Sequence, residues 1–438
     1  MAENMANTLK FCLEILVIFL CLISNFCFGE KSLLQAHVLY RHGDRSPVLI
    51  FPTDKHKDFW PDGPGRLTQK GMQMEFELGK FLRNRYVSDE KFVSSFYLHK
   101  EVYCKSSDSE RCLMSAESQM AGLYPPRDWQ VWNKNISWQP IPVHTVPGDK
   151  DPLLRPWDAI CPRLSELKRE KKQNKEYIVM EEYQKGFLEK LEKNTGLSAL
   201  DLTSIWSIRD TLFVEKSHNL SWPSWVTDGV WNNLNFLYFW GFKYMFTGND
   251  EFSRLSGGSL IKSIIANMEA KSKGKTETFK LNIYSAHDTT ILALLGSLGL
   301  YNATDIPYAS AVLVELYEDS GKYSVELYYR NSTAVGPYQL HLSNCEKQCE
   351  LGKFVSLLQS RVPKDYGKEC GNIKDVKKVK SYMSLVIGLA IVSGVLLLVV
   401  IAILIQHTEE KRKARNSGYL LGGDGLNEDD SHDNLLTA

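Results

Sequence analysis

Residues 382–405 form an apolar run of 24 residues that contains no charged side chain. About 20 residues in an α-helix, at about 1.5 Å each, cross the hydrocarbon layer of a membrane, so this run is long enough to span one. The alternative is a long buried core helix, but such uniform apolarity is rare in globular domains. The run therefore predicts one transmembrane helix, followed by a tail of residues 406–438.

A second apolar run, residues 11–28, follows Lys10 and ends at Gly29. This pattern is typical of a secretory signal peptide over residues 1–29, cleaved before Glu30, although Glu14 within the run leaves an uncleaved anchor as the alternative. Four lysines precede the transmembrane run and four Lys or Arg residues follow it, so flanking charge does not orient the helix. The signal peptide orients the helix instead, because it directs the chain that follows it across the membrane. It predicts a single-pass type I protein whose residues 30–381 are luminal or extracellular and whose tail is cytoplasmic.

The exported part carries features that suit an oxidising compartment. Six cysteines remain after those of the signal peptide are removed, an even number that allows 15 disulfide pairings. Four Asn-X-Ser/Thr sequons predict N-glycosylation, and none lies in the tail. The sequons are at Asn135, Asn219, Asn302 and Asn331.

Composition narrows the class of partner. The chain has 52 Lys and Arg against 52 Asp and Glu, a formal net charge of zero. A nucleic-acid partner normally requires a basic excess or stripe, so we expect none. With 24% charged and 43% hydrophobic residues, the chain has the composition of an ordered globular protein.

The pattern of the exported part predicts an α/β fold, with a mixed sheet core flanked by helices and a smaller α-helical cap. Short apolar runs that precede polar turns and helical patterns are expected to be buried strands. The strands are predicted at residues 34–40, 101–104, 281–284, 311–317 and 323–329, and helical patterns at 67–86 and, charged, at 164–193. The cap is expected over residues 153–270.

The first predicted strand leads directly into Arg41-His42-Gly43-Asp44-Arg45. Ligands of open α/β sheets bind outside the carboxyl ends of the strands, where this loop would lie. Two guanidiniums beside one imidazole suit a phosphate group, and Gly43 would allow an unusual backbone turn. Taken alone, the motif fits a basic surface loop equally well.

Two further strand ends carry compatible side chains. Arg111 follows the second predicted strand at the start of a helix, a favourable position for binding an anion. His287 and Asp288 follow the third strand, and on their own they would more often be a helix cap than a catalytic pair. Because three neighbouring strand ends carry these groups, the sequence predicts one phosphate-binding site.

These residues resemble the motifs of the branch 2 histidine acid phosphatases, in the subgroup of prostatic, lysosomal and testicular acid phosphatases. The family's R-H-G-x-R-x-P motif is found here from Arg41 to Pro47, and its H-D motif at His287 and Asp288. The similarity extends from about residue 34 to 370. It includes residues 51–54, 113–116, 138–147, 284–290 and 328–331.

The resemblance implies hydrolysis of phosphomonoesters through a phosphohistidine. His42 would be the nucleophile, Asp288 the proton donor, and His287 a further donor. The phosphoryl oxygens would be held by Arg41, Arg45 and Arg111. Trp206 would lie at the substrate mouth, although it could equally be a core tryptophan.

An acid at its ordinary pKa is protonated mainly at low pH, so activity is expected to favour acidic pH. No metal or other cofactor is expected, because the arginines supply positive charge and no zinc-ligand spacing or EF-hand loop occurs. Two alternatives remain. One is a more specialised phosphatase acting on lysophosphatidate or inositol phosphates, and the other is a catalytically silent receptor or adhesion ectodomain.

The resemblance also implies disulfides Cys161–Cys370 and Cys345–Cys349. A third bridge of the relatives is absent, since Val214 and Ala311 occupy its positions. Cys104 and Cys112 remain, and we predict a local disulfide between them, with two buried thiols as the alternative.

A homodimer is implied as well, with Trp138 and His144 in the matching interface. Lysosomal membrane and plasma membrane are both open as locations. Tyr419 in the tail lacks the apolar residue three positions later that a sorting signal requires, and Leu435-Leu436 follows an acidic stretch at an unusual spacing.

Overall fold

The computed structural model describes residues 31–332 and 334–418, in two units that separate between Asn372 and Ile373. The predicted signal peptide and the two tail motifs, at Tyr419 and at Leu435-Leu436, lie outside the described residues. The predicted extent of the exported domain, residues 30–381, ends nine positions beyond this division.

A seven-stranded mixed sheet forms the centre of the first unit, with the strand order β2-β3-β1-β4-β5-β6 and with β7 paired to β5. Strands β1, β2 and β3 are parallel, whereas β4 and β5 each run antiparallel to their neighbours. The strands are β1 (Ser32–Arg41), β2 (Val102–Ser106), β3 (Leu281–Ala286), β4 (Ala311–Asp319), β5 (Lys322–Arg330), β6 (Tyr338–Leu340) and β7 (Cys349–Glu350).

All five predicted strands are present, each longer by one or a few residues, and β6 and β7 were not predicted. The central strands are buried almost throughout because helices cover both faces of the sheet. Side chains alternate between the faces, so Val38 packs on one side and Leu39 on the other. The same alternation places Leu313 and Val312 of β4 on opposite faces.

One face of the sheet is covered by α1 (Gln69–Arg83) and α2 (Glu110–Leu123). A π-helical segment, Asn84–Asp89, continues α1 to the end of the predicted pattern. The other face is covered by α8 (Gly258–Ser272), α9 (Asp288–Ser297) and α10 (Leu351–Leu358).

The cap lies between α2 and α8 in the chain. It comprises α3 (Pro162–Lys172), α4 (Lys175–Thr195), α5 (Ile205–Ser217), α6 (Asp228–Phe246) and α7 (Asp250–Ser256). The cap has an apolar core of its own, in which Leu191, Ile208 and Leu234 are buried. The single charged helix predicted over residues 164–193 is two helices, because Asn174 caps α4 by accepting a hydrogen bond from the backbone of Glu176.

The structure contains the disulfides Cys161–Cys370 and Cys345–Cys349. Cys104 and Cys112 are buried free thiols, so the predicted disulfide between them is not formed. Their side chains have different partners. Cys104, a residue of β2, packs in the apolar cluster between the sheet and the helices α1 and α2, whereas the Cys112 thiol donates to the Ala286 carbonyl at 3.3 Å. Burial raises the pKa of Cys104 to about 12 and that of Cys112 to about 11, which keeps both protonated.

A short helix α11 (Tyr366–Glu369) is followed by the long helix α12 (Asn372–Gly418), which forms the second unit from Ile373 onward. Its segment Met383–Lys413 is long and apolar enough to cross a membrane, with a mean hydropathy of 3.1 in its most apolar window. The predicted span, residues 382–405, falls almost entirely within this segment. Its apolar side chains are exposed, which suits contact with lipid.

Candidate active site

The parallel strands β1, β2 and β3 end side by side. In the strand register Arg41 of β1 pairs with Ala286 of β3, and Ser106 of β2 pairs with Ser285. The segments that follow these three residues therefore emerge at the same edge of the sheet. The structure brings together there the six residues predicted from the three strand ends, namely Arg41, His42, Arg45, Arg111, His287 and Asp288.

His42 is buried, and one of its ring nitrogens is already engaged. Nδ1 lies 2.9 Å from the Gly43 carbonyl oxygen, which can only accept, so Nδ1 carries the hydrogen and donates it. Nε2 therefore keeps its lone pair. Burial, followed by the charges of Arg111, Arg41 and Arg45, holds the pKa of His42 well below its ordinary value. The imidazole is thus a neutral nitrogen base in a positively charged pocket.

Gly43 is required by a close approach and not, as the sequence had indicated, by an unusual backbone turn. Its φ is not positive, but a Cβ at this position would lie 2.3 Å from the backbone oxygen of Gly71. A Cβ at Gly71 would in turn lie 2.1 Å from the Asp44 carbonyl. The first turn of α1 therefore packs directly on the His42 loop, and any side chain at either position would push the two apart.

Two of the arginines are held by carboxylates. Arg45 donates two hydrogen bonds, each 2.9 Å long, to the two carboxylate oxygens of Asp210 on α5. Arg41 lies 3.0 Å from the Asp288 carboxylate through Nη2 and donates to the Ile306 carbonyl through Nη1 at 2.5 Å. The two-bond pair of Arg45 with Asp210 fixes the plane of that guanidinium.

Arg111 and His287 form a third pair. Arg111 Nη2 lies 3.3 Å from Nδ1 of His287, and because a guanidinium only donates, Nδ1 is the acceptor. Nε2 then carries the hydrogen and donates it to Ser107 Oγ at 2.9 Å. Burial and the charge of Arg111 lower the pKa of His287 to about 3. His287 is therefore neutral, with Ser107 and Arg111 setting its tautomer.

Asp288 is the first residue of α9 and lies beside His287. Burial favours its neutral form, but the charges of Arg41 and Arg45 outweigh burial, and the pKa of Asp288 is lowered. The backbone of Thr289 also donates to Oδ1 at 2.7 Å. Asp288 is consequently ionised while Arg41 is its partner, and a ligand that takes over Arg41 would raise that pKa.

Residues 305–310 lead into β4, which runs antiparallel to β1, so this segment reaches the same edge of the sheet. The ring of Tyr308 lies under two guanidiniums, with its centroid 4.0 Å from Cζ of Arg41 and 6.0 Å from Cζ of Arg45. The His42 ring is 5.9 Å away. This tyrosine therefore supports three functional side chains from below.

The strand ends and the cap enclose a cavity of about 390 Å³. Trp206 lines it from α5 and is 42% exposed, so this residue lies at the mouth of the cavity and not in the core. Arg209 and Arg155 add two further guanidiniums, which pair with Asp305 and Asp158 respectively. A concave, positively charged site with a neutral imidazole nitrogen can bind a phosphate and attack it.

The pattern of strand ends predicted the central residues but missed Asp210, Tyr308, Ser107, Arg155 and Arg209. Asp210 and Arg209 lie next to Trp206 on α5, and a charged pair following an aromatic residue in the cap was the available signal. Nothing local marked Tyr308, because its role depends on the antiparallel position of β4.

Residues 32–330 match the histidine phosphatase superfamily (branch 2). The chain is similar to curated acid phosphatases over most of its length. It is 41% identical to a lysosomal acid phosphatase of Xenopus laevis over 386 residues, which covers 87% of this chain and 88% of that protein. It is 42% identical to the prostatic acid phosphatase of Homo sapiens over 344 residues, covering 78% and 88%.

Solved structures share the fold at much lower identity. The Hafnia alvei phytase in its apo form has a TM-score of 0.58 and 18% identity, with 78% of this chain and 98% of that chain covered. A phytase from Citrobacter braakii has a TM-score of 0.57 and 17% identity, with coverage of 77% and 99%. These two structures support the fold only.

Proposed function

The chain belongs to branch 2 of the histidine phosphatase superfamily, and on this basis we propose that it is an acid phosphatase which hydrolyses phosphomonoesters through a phosphohistidine at His42. About 40% identity to lysosomal and prostatic acid phosphatases, over most of each chain, supports the activity. The observation that carries the mechanism is the free Nε2 of a neutral His42 within a pocket of guanidiniums.

In the first step, Nε2 of His42 attacks the phosphorus and forms an N–P bond as the P–O ester bond breaks. The guanidiniums of Arg41, Arg45 and Arg111 hold the phosphoryl oxygens and stabilise the charge that develops on them. Asp288 delivers a proton to the leaving oxygen, which departs as an alcohol. His287 lies beside the reacting group with its Nε2 hydrogen donated to Ser107 and its Nδ1 accepting from Arg111, so it has to turn that hydrogen from Ser107 to a phosphoryl oxygen to act as a further donor.

In the second step, water attacks the phosphorus of phosphohistidine. Asp288, now a carboxylate, accepts a proton from that water, the N–P bond breaks, and orthophosphate leaves. His42 regains its neutral form with the lone pair on Nε2. The same carboxyl group thus acts first as an acid and then as a base.

The proton that Asp288 donates has to arrive with the substrate. The pKa of Asp288 is lowered by Arg41 in the absence of ligand, so the carboxyl group is ionised there. A phosphomonoester monoanion binds the arginines, weakens their hold on Asp288, and carries one proton of its own. Acidic pH favours this monoanion, because the second pKa of a phosphomonoester is about 6.

The test is chemical trapping of the intermediate. Full-length protein is mixed with a ³²P-labelled aryl phosphate and quenched without acid, since acid cleaves N–P bonds. We expect label on His42 and a loss of turnover of about 10⁴-fold or more in His42→Ala. His99→Ala, at an exposed histidine, is the matched control and should turn over normally. Label on any other residue, or turnover by His42→Ala, would contradict the mechanism.

We further propose that the protein is a single-pass type I membrane protein of the lysosomal membrane, with the plasma membrane as the rival location. Similarity to lysosomal acid phosphatases and the helix α12 support this. The four sequon asparagines are exposed on the first unit, which is compatible with glycosylation there. Protease treatment of intact vesicles should remove the tail and spare the phosphatase domain. Protection of the tail would contradict the topology.

A homodimer through the segment that contains Trp138 and His144 remains part of the proposal. Trp129, Trp132 and Trp138 are all exposed there, an unusual density of tryptophan for a free surface. Sedimentation of the full-length protein in detergent should give twice the mass of the monomer. Trp132→Ser should shift it towards the monomer, and a monomeric wild-type protein would contradict the proposal.

A further inference from the structure

A second cavity, of about 330 Å³, lies in the cap between helices α3, α4, α5 and α6. It adjoins the catalytic pocket, because five residues line both cavities. The shared residues are Trp157, Trp206, Tyr238, Phe242 and Thr289. We refer to this second cavity as the cap groove.

The walls of the cap groove are apolar and mostly aromatic. Trp240 stacks on Tyr244 with ring centroids 5.0 Å apart and ring planes inclined by 10°, and Tyr177 lies 6.1 Å from Trp240. Two lysines also line it: Lys172 bonds to Asp201 and Thr203, and Lys168 lies 4.5 Å over the ring of Trp157, which is itself a residue of the groove. The groove therefore offers mainly apolar contact.

We infer that the cap groove binds an unbranched alkyl chain on the leaving group of the phosphomonoester, an inference that rests on the proposed function. The phosphate is held at the strand ends, where the sheet closes one side of the pocket. The leaving group must extend towards the cap, and the aromatic residues shared by the two cavities lead it into the groove. Burial of each CH₂ there increases affinity by up to about fourfold.

Gly241 of α6 keeps the groove open. It lines the cavity, and a Cβ added to it would have no heavy atom within 4 Å, so a side chain can enter the empty space without moving the backbone. The leucine side chain of Gly241→Leu is therefore expected to fill part of the groove. The helix should tolerate this change, because leucine is a better helix former than glycine. Gly186 on α4 is also open but lines neither cavity, so Gly186→Leu is the matched control.

The experiment compares methyl, butyl and hexyl phosphate, which stay in the aqueous phase, with full-length protein in lipid nanodiscs. For wild type and Gly186→Leu, we expect kcat/KM to rise at least about tenfold from methyl to hexyl phosphate, mainly through a lower KM. For Gly241→Leu, we expect the hexyl-to-methyl ratio to fall to about two or less. Thermal melting should show that both variants are folded.

Three outcomes would count against the inference, and one of them also bears on the proposed function. A flat chain-length profile in the wild type, or an equal rise in folded Gly241→Leu, overturns the cap groove as a chain-binding site while leaving the phosphatase intact. Failure of the wild type to hydrolyse any of the three esters overturns the proposed function, and the inference with it.

Discussion

Substitutions of Tyr308 can distinguish what its aromatic ring and what its hydroxyl group contribute to catalysis. Its ring lies under Arg41 and Arg45, and its hydroxyl is buried without a hydrogen-bond partner among the described residues. A cation over an aromatic ring contributes about 0.5–2 kcal/mol. We therefore expect Tyr308→Leu to lower kcat/KM for an aryl phosphate by about tenfold, and Tyr308→Phe by less than about threefold.

Thermal melting completes this test. Removal of an unpartnered buried hydroxyl costs no hydrogen bond, so Tyr308→Phe should melt at the wild-type temperature or slightly above. If phenylalanine lowers kcat/KM as much as leucine does, the hydroxyl and not the ring face is what the site requires.

Asp288 and His42 together predict the pH dependence. The lowered pKa of His42 keeps its Nε2 unprotonated well below pH 6.5, so the nucleophile is not lost as the pH falls. The proton for the leaving group is lost as the pH rises, because the substrate monoanion disappears above about pH 6. We expect kcat/KM for an alkyl phosphate to fall about tenfold per pH unit above that value. A pH–rate profile from pH 4 to 8 measures it.

The leaving group provides the control for Asp288. Asp288→Asn should lower kcat by about 10²- to 10⁴-fold for an alkyl phosphate, whose alkoxide needs a proton. It should have a much smaller effect for p-nitrophenyl phosphate, whose phenolate leaves without one. Equal losses for both esters would remove Asp288 from the role of proton donor.

At the scale of single residues, the site could be predicted where chemistry is concentrated in a short motif. Arg41 to Arg45 and the pair His287 and Asp288 follow apolar strands directly, and adjacency along the chain revealed them. Asp210 is 165 positions from its partner Arg45, and no local pattern records that they meet. Ionic partners of catalytic arginines are therefore the part that a single sequence leaves hidden.

Secondary-structure elements were predictable to the extent that their hydrophobic pattern is local. The central strands are mostly apolar because they are covered on both faces, and this pattern located β1, β3, β4 and β5 within three residues at each end. Strand order was not predictable in the same way, since β3 inserts between β1 and β2 although it follows β2 by 175 positions. Strands β6 and β7 are too short to show a period.

Glu75 on α1 gives a prediction about the packing of helix and sheet. The side chain is fully buried, and neither carboxylate oxygen has a hydrogen-bond partner among the described residues. Burial raises the pKa of Glu75 well above its usual value, against the opposing effect of Arg330 on β5. The folded state thus binds a proton that the unfolded chain releases above about pH 4.5, and stability falls as the pH rises.

Glu75→Gln removes this dependence. We expect its free energy of unfolding in urea to exceed that of wild type by about 1–3 kcal/mol at pH 7.5 and to equal it near pH 5. Glu77→Gln is the control on the same helix, because Glu77 is exposed and pairs with Lys80, and it should change stability by less than about 0.5 kcal/mol at either pH. A destabilised Glu75→Gln at pH 7.5 would show that the charged pair with Arg330 dominates.

For the molecule as a whole, the sequence predicted a cap inserted into a sheet domain. It did not predict the position in the chain at which the cap ends and helices begin to pack on the sheet again. The predicted insertion ends at residue 270, yet α8, which begins at Gly258, already packs on the sheet through Leu260 and Ile264. An amphipathic helix shows that it has an apolar face, not which surface it will cover. The division between cap and sheet is therefore a tertiary property.

The bond between Cys161 and Cys370 joins the start of the cap to the end of the first unit. It connects residues 209 positions apart, whereas Cys345 and Cys349 are 4 apart. A cross-link restricts the unfolded chain more when it closes a longer loop. The long bridge is also buried among Leu164, Phe252 and Leu255, so its loss removes packing as well.

We therefore expect unequal effects from the two pairs of substitutions. Replacing Cys161 and Cys370 by serine should lower the free energy of unfolding by about 2–5 kcal/mol, and replacing Cys345 and Cys349 by about 2 kcal/mol or less. Guanidinium titrations of the full-length variants in detergent, followed by tryptophan fluorescence, measure both. Because neither pair touches the catalytic pocket, kcat/KM below the transition should stay near the wild-type value. Equal destabilisation by the two pairs would mean that native packing and strain, not loop length, decide what these cross-links contribute.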